Sequence, residues 1–126
     1  MDIPAELKYT KDHEWVRVDD NVAVIGITDY AQGELGDIVF VELPSVGTET
    51  TQMQPFGTIE AVKAVSDLMA PLSGKIAAIN EILDNDPTLV NKSPYDEGWM
   101  IKIEFADASE LGNLLSADDY RKMLEG

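Results

Sequence analysis

The run Gly57-Thr58-Ile59-Glu60-Ala61-Val62-Lys63-Ala64-Val65-Ser66-Asp67-Leu68-Met69-Ala70-Pro71-Leu72-Ser73-Gly74 holds two β-rich segments either side of a short turn, with Lys63 at the turn. Apolar and β-branched residues recur on both sides, and Pro71 and Gly74 punctuate the far end, so the pattern predicts a β-hairpin over about residues 56–75. Lysines on exposed turns are ordinary. This one is the only basic residue between Arg17 and Lys75, a span that holds nine acids. Its neighbours Ala61, Val62, Ala64 and Val65 are small and apolar, and at a hairpin tip in water they have no packing role. They make sense where an enzyme grips the tip and acylates one amine. A deprotonated lysine amine attacks an activated carboxylate to give a stable amide. The product is a tether, and its cargo reaches a high local concentration at each docked active site. The residues alone leave open which acid is attached.

Composition narrows the rest. With 126 residues and 44 % apolar content, the chain is long enough for one domain with a modest core. It has no cysteine, which excludes disulfides, thiolate nucleophiles and Cys-ligated metals. A single histidine, His13, leaves the common Ser-His and two-His metal arrangements almost nothing to build from. The net charge of −15 argues against nucleic acid and against anionic membrane surfaces. It serves solubility, or it steers encounters with basic patches on other proteins. No run of about eighteen apolar residues marks a membrane span. The N-terminus, Met1-Asp2-Ile3-Pro4-Ala5-Glu6, lacks the pattern of a signal or transit peptide. A bacterial cytoplasmic protein, or an already processed mitochondrial matrix protein, is expected.

Outward from the hairpin the pattern is mainly β. Lys8 to Thr10, Glu14 to Val18 and Val22 to Ile27 read as strands, the last two joined by the tight turn Asp19-Asp20-Asn21. Thr28 is placed to cap a short helix that runs through Leu35 and is closed by Gly36. Ile38 to Val41 reads as a buried strand, stopped by Pro44. Phe56 to Val62, Asp67 to Ala70, Lys75 to Ile82 and Trp99 to Phe105 are further strands, and residues 83–98 form a long loop with one helical turn begun by Asp86-Pro87. Over residues 107–125 the period changes. Asp107 with Glu110 makes a capping-box pair, Ser116 with Asp119 does something similar, and each opens a short helix with one apolar stripe. Trp15 and Trp99 are expected in the core. Asp84-Asn85-Asp86-Pro87-Thr88 begins like a calcium loop, but Leu89 replaces the needed glycine and Tyr95 the closing glutamate, so no metal is expected.

The segments Glu60-Ala-Val-Lys-Ala-Val-Ser-Asp67 and Ala70-Pro-Leu-Ser-Gly74 closely resemble the lipoylation motif of glycine cleavage H proteins. So do His13-Glu14-Trp15, Val24 to Asp29, Ala31-Gln32, Leu35 to Pro44, Val46-Gly47, Leu89-Val90-Asn91, Pro94-Tyr95 and Gly98-Trp99, and the likeness covers nearly the whole chain. Biotin acceptors of the same fold flank their lysine with methionines; here Val62 and Ala64 flank it, which favours lipoate. Two positions depart from the family. Ala61 stands where a serine is usual, and Tyr30 stands where many members have histidine.

The resemblance implies a barrel–sandwich hybrid of lipoyl type, one carrier domain over residues 1–126, with helical additions at the C-terminus. It implies covalent lipoate on Lys63, and recognition of the hairpin by a lipoate ligase or lipoyl transferase through Glu60, Ala61, Val62, Ala64 and Gly74. A 1,2-dithiolane cannot reach the roughly 90° torsion an S–S bond prefers, so it opens readily. That suits an acceptor for the aminomethyl group that a pyridoxal-phosphate glycine decarboxylase generates. A tetrahydrofolate-dependent aminomethyltransferase then unloads the arm, and dihydrolipoyl dehydrogenase reoxidises it. The loaded arm is prone to hydrolysis, so a carrier should park it in a cleft with a carboxylate for its ammonium. Glu14 and Asp67 are the candidates, with His13 either assisting or purely structural. The protein is then a monomeric carrier without catalysis of its own. The rivals are an H-like carrier that relays lipoate or serves another lipoate-dependent pathway, and a small enzyme built on the acidic clusters.

Overall fold

The computed structural model describes residues 2–125. Nine strands are arranged in two antiparallel sheets: β1 (Lys8–Tyr9), β2 (Glu14–Asp19), β3 (Val22–Ile27), β4 (Ile38–Glu42), β5 (Glu49–Thr50), β6 (Pro55–Ala61), β7 (Val65–Met69), β8 (Gly74–Ile79) and β9 (Ile101–Glu104). One sheet runs β1-β2-β3-β9-β8-β5 and the other β4-β6-β7. Among the described residues there are also four short helices, α1 (Asp29–Leu35), α2 (Ile82–Asn85), α3 (Leu89–Lys92) and α4 (Ala117–Glu125), with a 3₁₀ turn at Ala108–Asn113. No helix among the described residues is long and apolar enough to cross a membrane.

The alternation of β3 explains the layering. Ala23, Ile25 and Ile27 point into the main core with Ile38, Val41, Ile59 and Leu68 of the opposite sheet. Val24, on the other face, joins a second cluster with Trp15, Tyr9 and Tyr120. A strand buried on both faces needs the continuous apolar run that β3 has. Trp15 is fully buried and its indole donates to the Pro94 carbonyl at 2.8 Å. Trp99 is only partly buried at the margin of that cluster, with Lys102 Nζ 5.1 Å over its ring.

Beyond Trp99, four expectations need correction. Ile38 to Val41 is not buried throughout: Val39 and Phe40 are each 48 % exposed. The pairing of β4 with β6 slips between Ile38 and Phe40, and a bulge on this edge strand turns two successive residues outward. The loop at residues 83–98 contains two single helical turns, not one. β8 stops at Ile79, short of Ile82, and the Asn80 side-chain amide that follows donates to the Glu97 and Trp99 carbonyls, at 2.8 Å each. Glu110 does not close a box with Asp107. It accepts the Ser73 N–H and hydroxyl, both at 2.8 Å, and so docks the 3₁₀ turn on the sheet. The short β5, Glu49–Thr50, has no apolar pattern to announce it and exists by pairing with β8.

Candidate functional site

Lys63 occupies the middle of the three-residue loop between β6 and β7. The loop is closed by the Ala61 N–H on the Ala64 carbonyl at 2.7 Å, and anchored by the Val62 N–H on the Asp37 carbonyl at 3.1 Å. Lys63 is exposed, as are Val62, Ala64 and Val65. Phe40, Glu60 and Val65 form one cross-strand row, all three exposed. Around the lysine there is therefore an apolar apron with one acid in it. Ala61 differs from its neighbours: it is 4 % exposed and pairs with Ile38, so it belongs to the core. Gly74 has a packing reason too, because a Cβ there would meet the Glu104 carbonyl oxygen at 2.2 Å.

α1 brings the tip close to a cavity. Its N-cap is Thr28, whose side chain accepts the Ala31 N–H at 3.2 Å. Its C-cap is Gly36 at φ 81°, a left-handed conformation that favours glycine. The stem of Lys63 lies over this cap: a Cβ on Gly36 would be 3.5 Å from Lys63 Cε. Asn91 pins the same corner. Its amide donates to the Gly36 carbonyl at 2.8 Å and to Gln32 at 3.0 Å, and its oxygen accepts the Ile38 N–H at 2.9 Å.

The preceding turn of α1, with Ala31, Glu34 and Leu35, walls a cavity of about 300 Å³ that also contains Glu14, Asp67 and His13. The three residues that the sequence nominated for a parking cleft thus come together in one place. The cavity is apolar at Ile27, Ile59 and Leu68 and acidic at Asp12 and Glu34, and no lysine or arginine lines it. An elongated apolar chain ending in a cation fits such a lining; an anion does not. Asp67 is exposed, facing Thr58 across the hairpin. Glu14 is 2 % exposed. Its Oε1 accepts the Thr10 hydroxyl at 2.5 Å and its Oε2 the Met69 N–H at 3.2 Å. Burial outweighs these bonds and pushes the carboxyl up to about 8. At neutral pH the group is largely protonated, and a cation entering the cavity would favour its ionised form.

Across residues 7–126 the chain matches the family model described as Glycine cleavage H-protein. The chain belongs to the glycine cleavage H-protein family. It is similar to the glycine cleavage system H proteins of Anoxybacillus flavithermus and Geobacillus kaustophilus, at 59 % and 57 % identity over 124 residues, 98 % of this chain and 98 % of each relative. It is also similar to the crystal structure of a glycine cleavage system H protein from Mycobacterium marinum, at 36 % identity and a TM-score of 0.91, covering 98 % of this chain and all of that one. The two open sheets are thus the barrel–sandwich fold of lipoyl carriers, and the H-protein role is that of the carrier component of the glycine cleavage system.

Against the H-protein pattern, the serine replaced by Ala61 would sit in the core, where an alanine is the simpler fit. The histidine replaced by Tyr30 would sit in the cavity wall. The Tyr30 ring packs against His13 there, centroids 4.8 Å apart, so the site keeps one imidazole. Sequence reasoning gave Thr28 a capping role only, and gave Thr10, Asn91 and Tyr120 no part in the site. Their roles here run through partners far along the chain or through one hydroxyl, and nothing local marks them.

Proposed function

We propose that Lys63 carries lipoate and that the protein shuttles the aminomethyl group and reducing equivalents among three enzymes. These are a pyridoxal-phosphate glycine decarboxylase, a tetrahydrofolate-dependent aminomethyltransferase and dihydrolipoyl dehydrogenase. The observation that carries this reading is Lys63 on an exposed loop with its stem laid over Gly36, beside the cavity walled by α1. Lipoate supplies a strained disulfide that accepts a carbon fragment and two electrons. The protein's own part is to present an amine, shelter the cargo and present it again, which requires no catalytic group. Among the described residues Lys63 has no carboxylate within ion-pair distance, so no local pair must be broken before the amine is acylated.

The residues near Lys63 divide the remaining work. Glu60, Val62 and Ala64 are exposed and available to the ligase or transferase that attaches lipoate, whereas Ala61 and Gly74 hold the hairpin's shape. Glu14 and Asp67 receive the ammonium of the parked cargo, and the apolar floor keeps water from it. Cytoplasmic residence in a bacterium accords with this role. The test is intact mass after incubation with lipoate ligase, ATP and lipoate. The native chain should gain one lipoyl group, and Lys63→Arg, folded to within about 0.5 kcal/mol of native, should gain none. Modification of Lys63→Arg at another lysine, such as Lys75, would reject the assignment.

A further inference from the structure

His13 is held in an unusual way for a residue with no task. It sits at φ 70°, a left-handed conformation that costs a side chain free energy and recurs at functional sites. Its backbone is fastened on both sides: its N–H donates to the Thr10 carbonyl at 3.1 Å, and its carbonyl accepts the Thr28 N–H at 3.0 Å. The ring is gripped as well, with the Tyr30 ring at 4.8 Å and the Tyr120 ring edge-on at 5.8 Å. Tyr120 comes from α4, at the far end of the chain, and is itself fixed by stacking on Tyr9 at 4.8 Å and 6°.

Three polar atoms then form a chain. The Tyr120 hydroxyl is 2.7 Å from Thr28 Oγ1 and 2.9 Å from His13 Nδ1. Thr28 is fully buried, and its oxygen already accepts the Ala31 N–H. Among the described residues the one acceptor within reach of its hydroxyl proton is Tyr120 Oη. Thr28 therefore donates to Tyr120, and the Tyr120 proton is left for His13 Nδ1. Burial pushes the Tyr120 phenol up to about 12, so it keeps that proton at any physiological pH. Burial likewise lowers His13 below its usual value, ahead of the opposing pull of Asp12 and Glu34, which keeps the imidazole neutral. The reversed direction would leave the Thr28 proton buried and unpaired, which confines it to roughly a tenth of the population or less.

We propose that Tyr120 is a positioning residue for the cavity: through the Thr28–Tyr120–His13 chain it holds His13 as the tautomer protonated on Nε2. With Nδ1 occupied, Nε2–H is the free donor of an imidazole that lines the cavity. It is suited to an acceptor atom of the parked arm, its amide oxygen or a sulfur, while the carboxylates take the cation. The assignment rests on the cavity being where the arm is parked.

His13 is the only histidine, so its ring nitrogens are read without ambiguity in a long-range ¹H–¹⁵N spectrum of the unmodified protein above pH 7.5. The expected native pattern is protonated Nε2 with Nδ1 displaced by an accepted hydrogen bond. In Tyr120→Phe, which keeps the ring on Tyr9, Nδ1 should move to the free position and the Nδ1–H tautomer should appear. A native Nδ1–H tautomer, or a pattern unchanged in Tyr120→Phe, would overturn the proposal. On the lipoylated, cargo-loaded carrier, Tyr120→Phe should release ammonia roughly three- to tenfold faster than native. A native rate in Tyr120→Phe alongside a faster one in Glu14→Gln overturns the positioning role alone. Native rates in both overturn the parking cavity, and the positioning role with it.

Discussion

Oε2 of Glu14 accepts the backbone N–H of Met69, 55 residues away, at 3.2 Å. The first residue of β2 is thereby fastened to the last residue of β7, the strand that leads away from Lys63. Both carboxylate oxygens of Glu14 are used as acceptors inside the protein, so this acid is built into the fold as well as into the cavity.

Stability should therefore depend on pH through Glu14. Its folded value lies near 8, above the ordinary 4.5. Between those values the folded state holds a proton that the unfolded state has released, so this contribution is full below pH 4.5 and is lost as pH rises through 8. The loss is on the order of 5 kcal/mol for the full shift. Thermal or urea unfolding from pH 5 to 8 should show native stability falling relative to Glu14→Gln. The variant starts lower, because its amide opposes a donor with a donor, but it lacks that slope. Parallel curves would mean that Glu14 is ionised in the empty cavity.

Glu14 and Asp67 should also set the lifetime of the cargo. In the proposed role the arm leaves the cavity to be loaded by the decarboxylase, so Glu14→Gln should load at the native rate. A charge-assisted hydrogen bond is worth on the order of 1–2 kcal/mol here, which corresponds to roughly a five- to thirtyfold faster spontaneous loss of ammonia. Asp67→Asn shows whether the exposed acid shares the task. Ammonia release timed in both variants decides it, and native lifetimes in both would remove the carboxylates from this role.

The net charge of −15 predicts salt-sensitive docking. If basic patches on the partners steer encounters, the Michaelis constant for this carrier in glycine decarboxylation should rise several-fold from about 10 mM to 150 mM salt. A flat dependence leaves solubility as the account of the acidity.

Asn91 should matter for stability out of proportion to its half-exposed position. Asn91→Ala leaves the Ile38 N–H and the Gly36 carbonyl without their partner, a loss of about 3 kcal/mol. The urea midpoint should fall with an unchanged slope. Lipoylation at Lys63 should slow as the tip loses its anchor at Asp37. An unchanged midpoint would show that water replaces the amide.

What the sequence reveals here is whatever is local. α1 appears with the predicted cap, Thr28, and the predicted stop, Gly36, because both are set within four residues. The hairpin at Lys63 appears for the same reason. Glu14, Asp67 and His13 were nominated through the family resemblance, and the fold brings all three to one cavity. What stayed hidden is long-range or irregular. The bulge that turns Val39 and Phe40 outward depends on how β4 meets β6. The segment carrying the helical turns of residues 82–92 is tied at its ends by Asn80 to Glu97 and Trp99, contacts that no local pattern announces. The bond from Tyr120 to His13 spans 107 residues and turns on a single hydroxyl.

β7 is the outermost strand of its sheet, and unpaired strand edges invite another chain to add to them. Here one N–H of that strand is already occupied by Glu14, and Asp67 stands exposed in its middle. The apolar apron around Lys63 would be a hazard beside an open edge, since two carriers could zip together tip to tip. A buried acid on the edge N–H and a charge on the strand both stand against such pairing. Losing Glu14 would therefore, besides its cost in stability, free an edge N–H and favour self-association along β7 in concentrated solution.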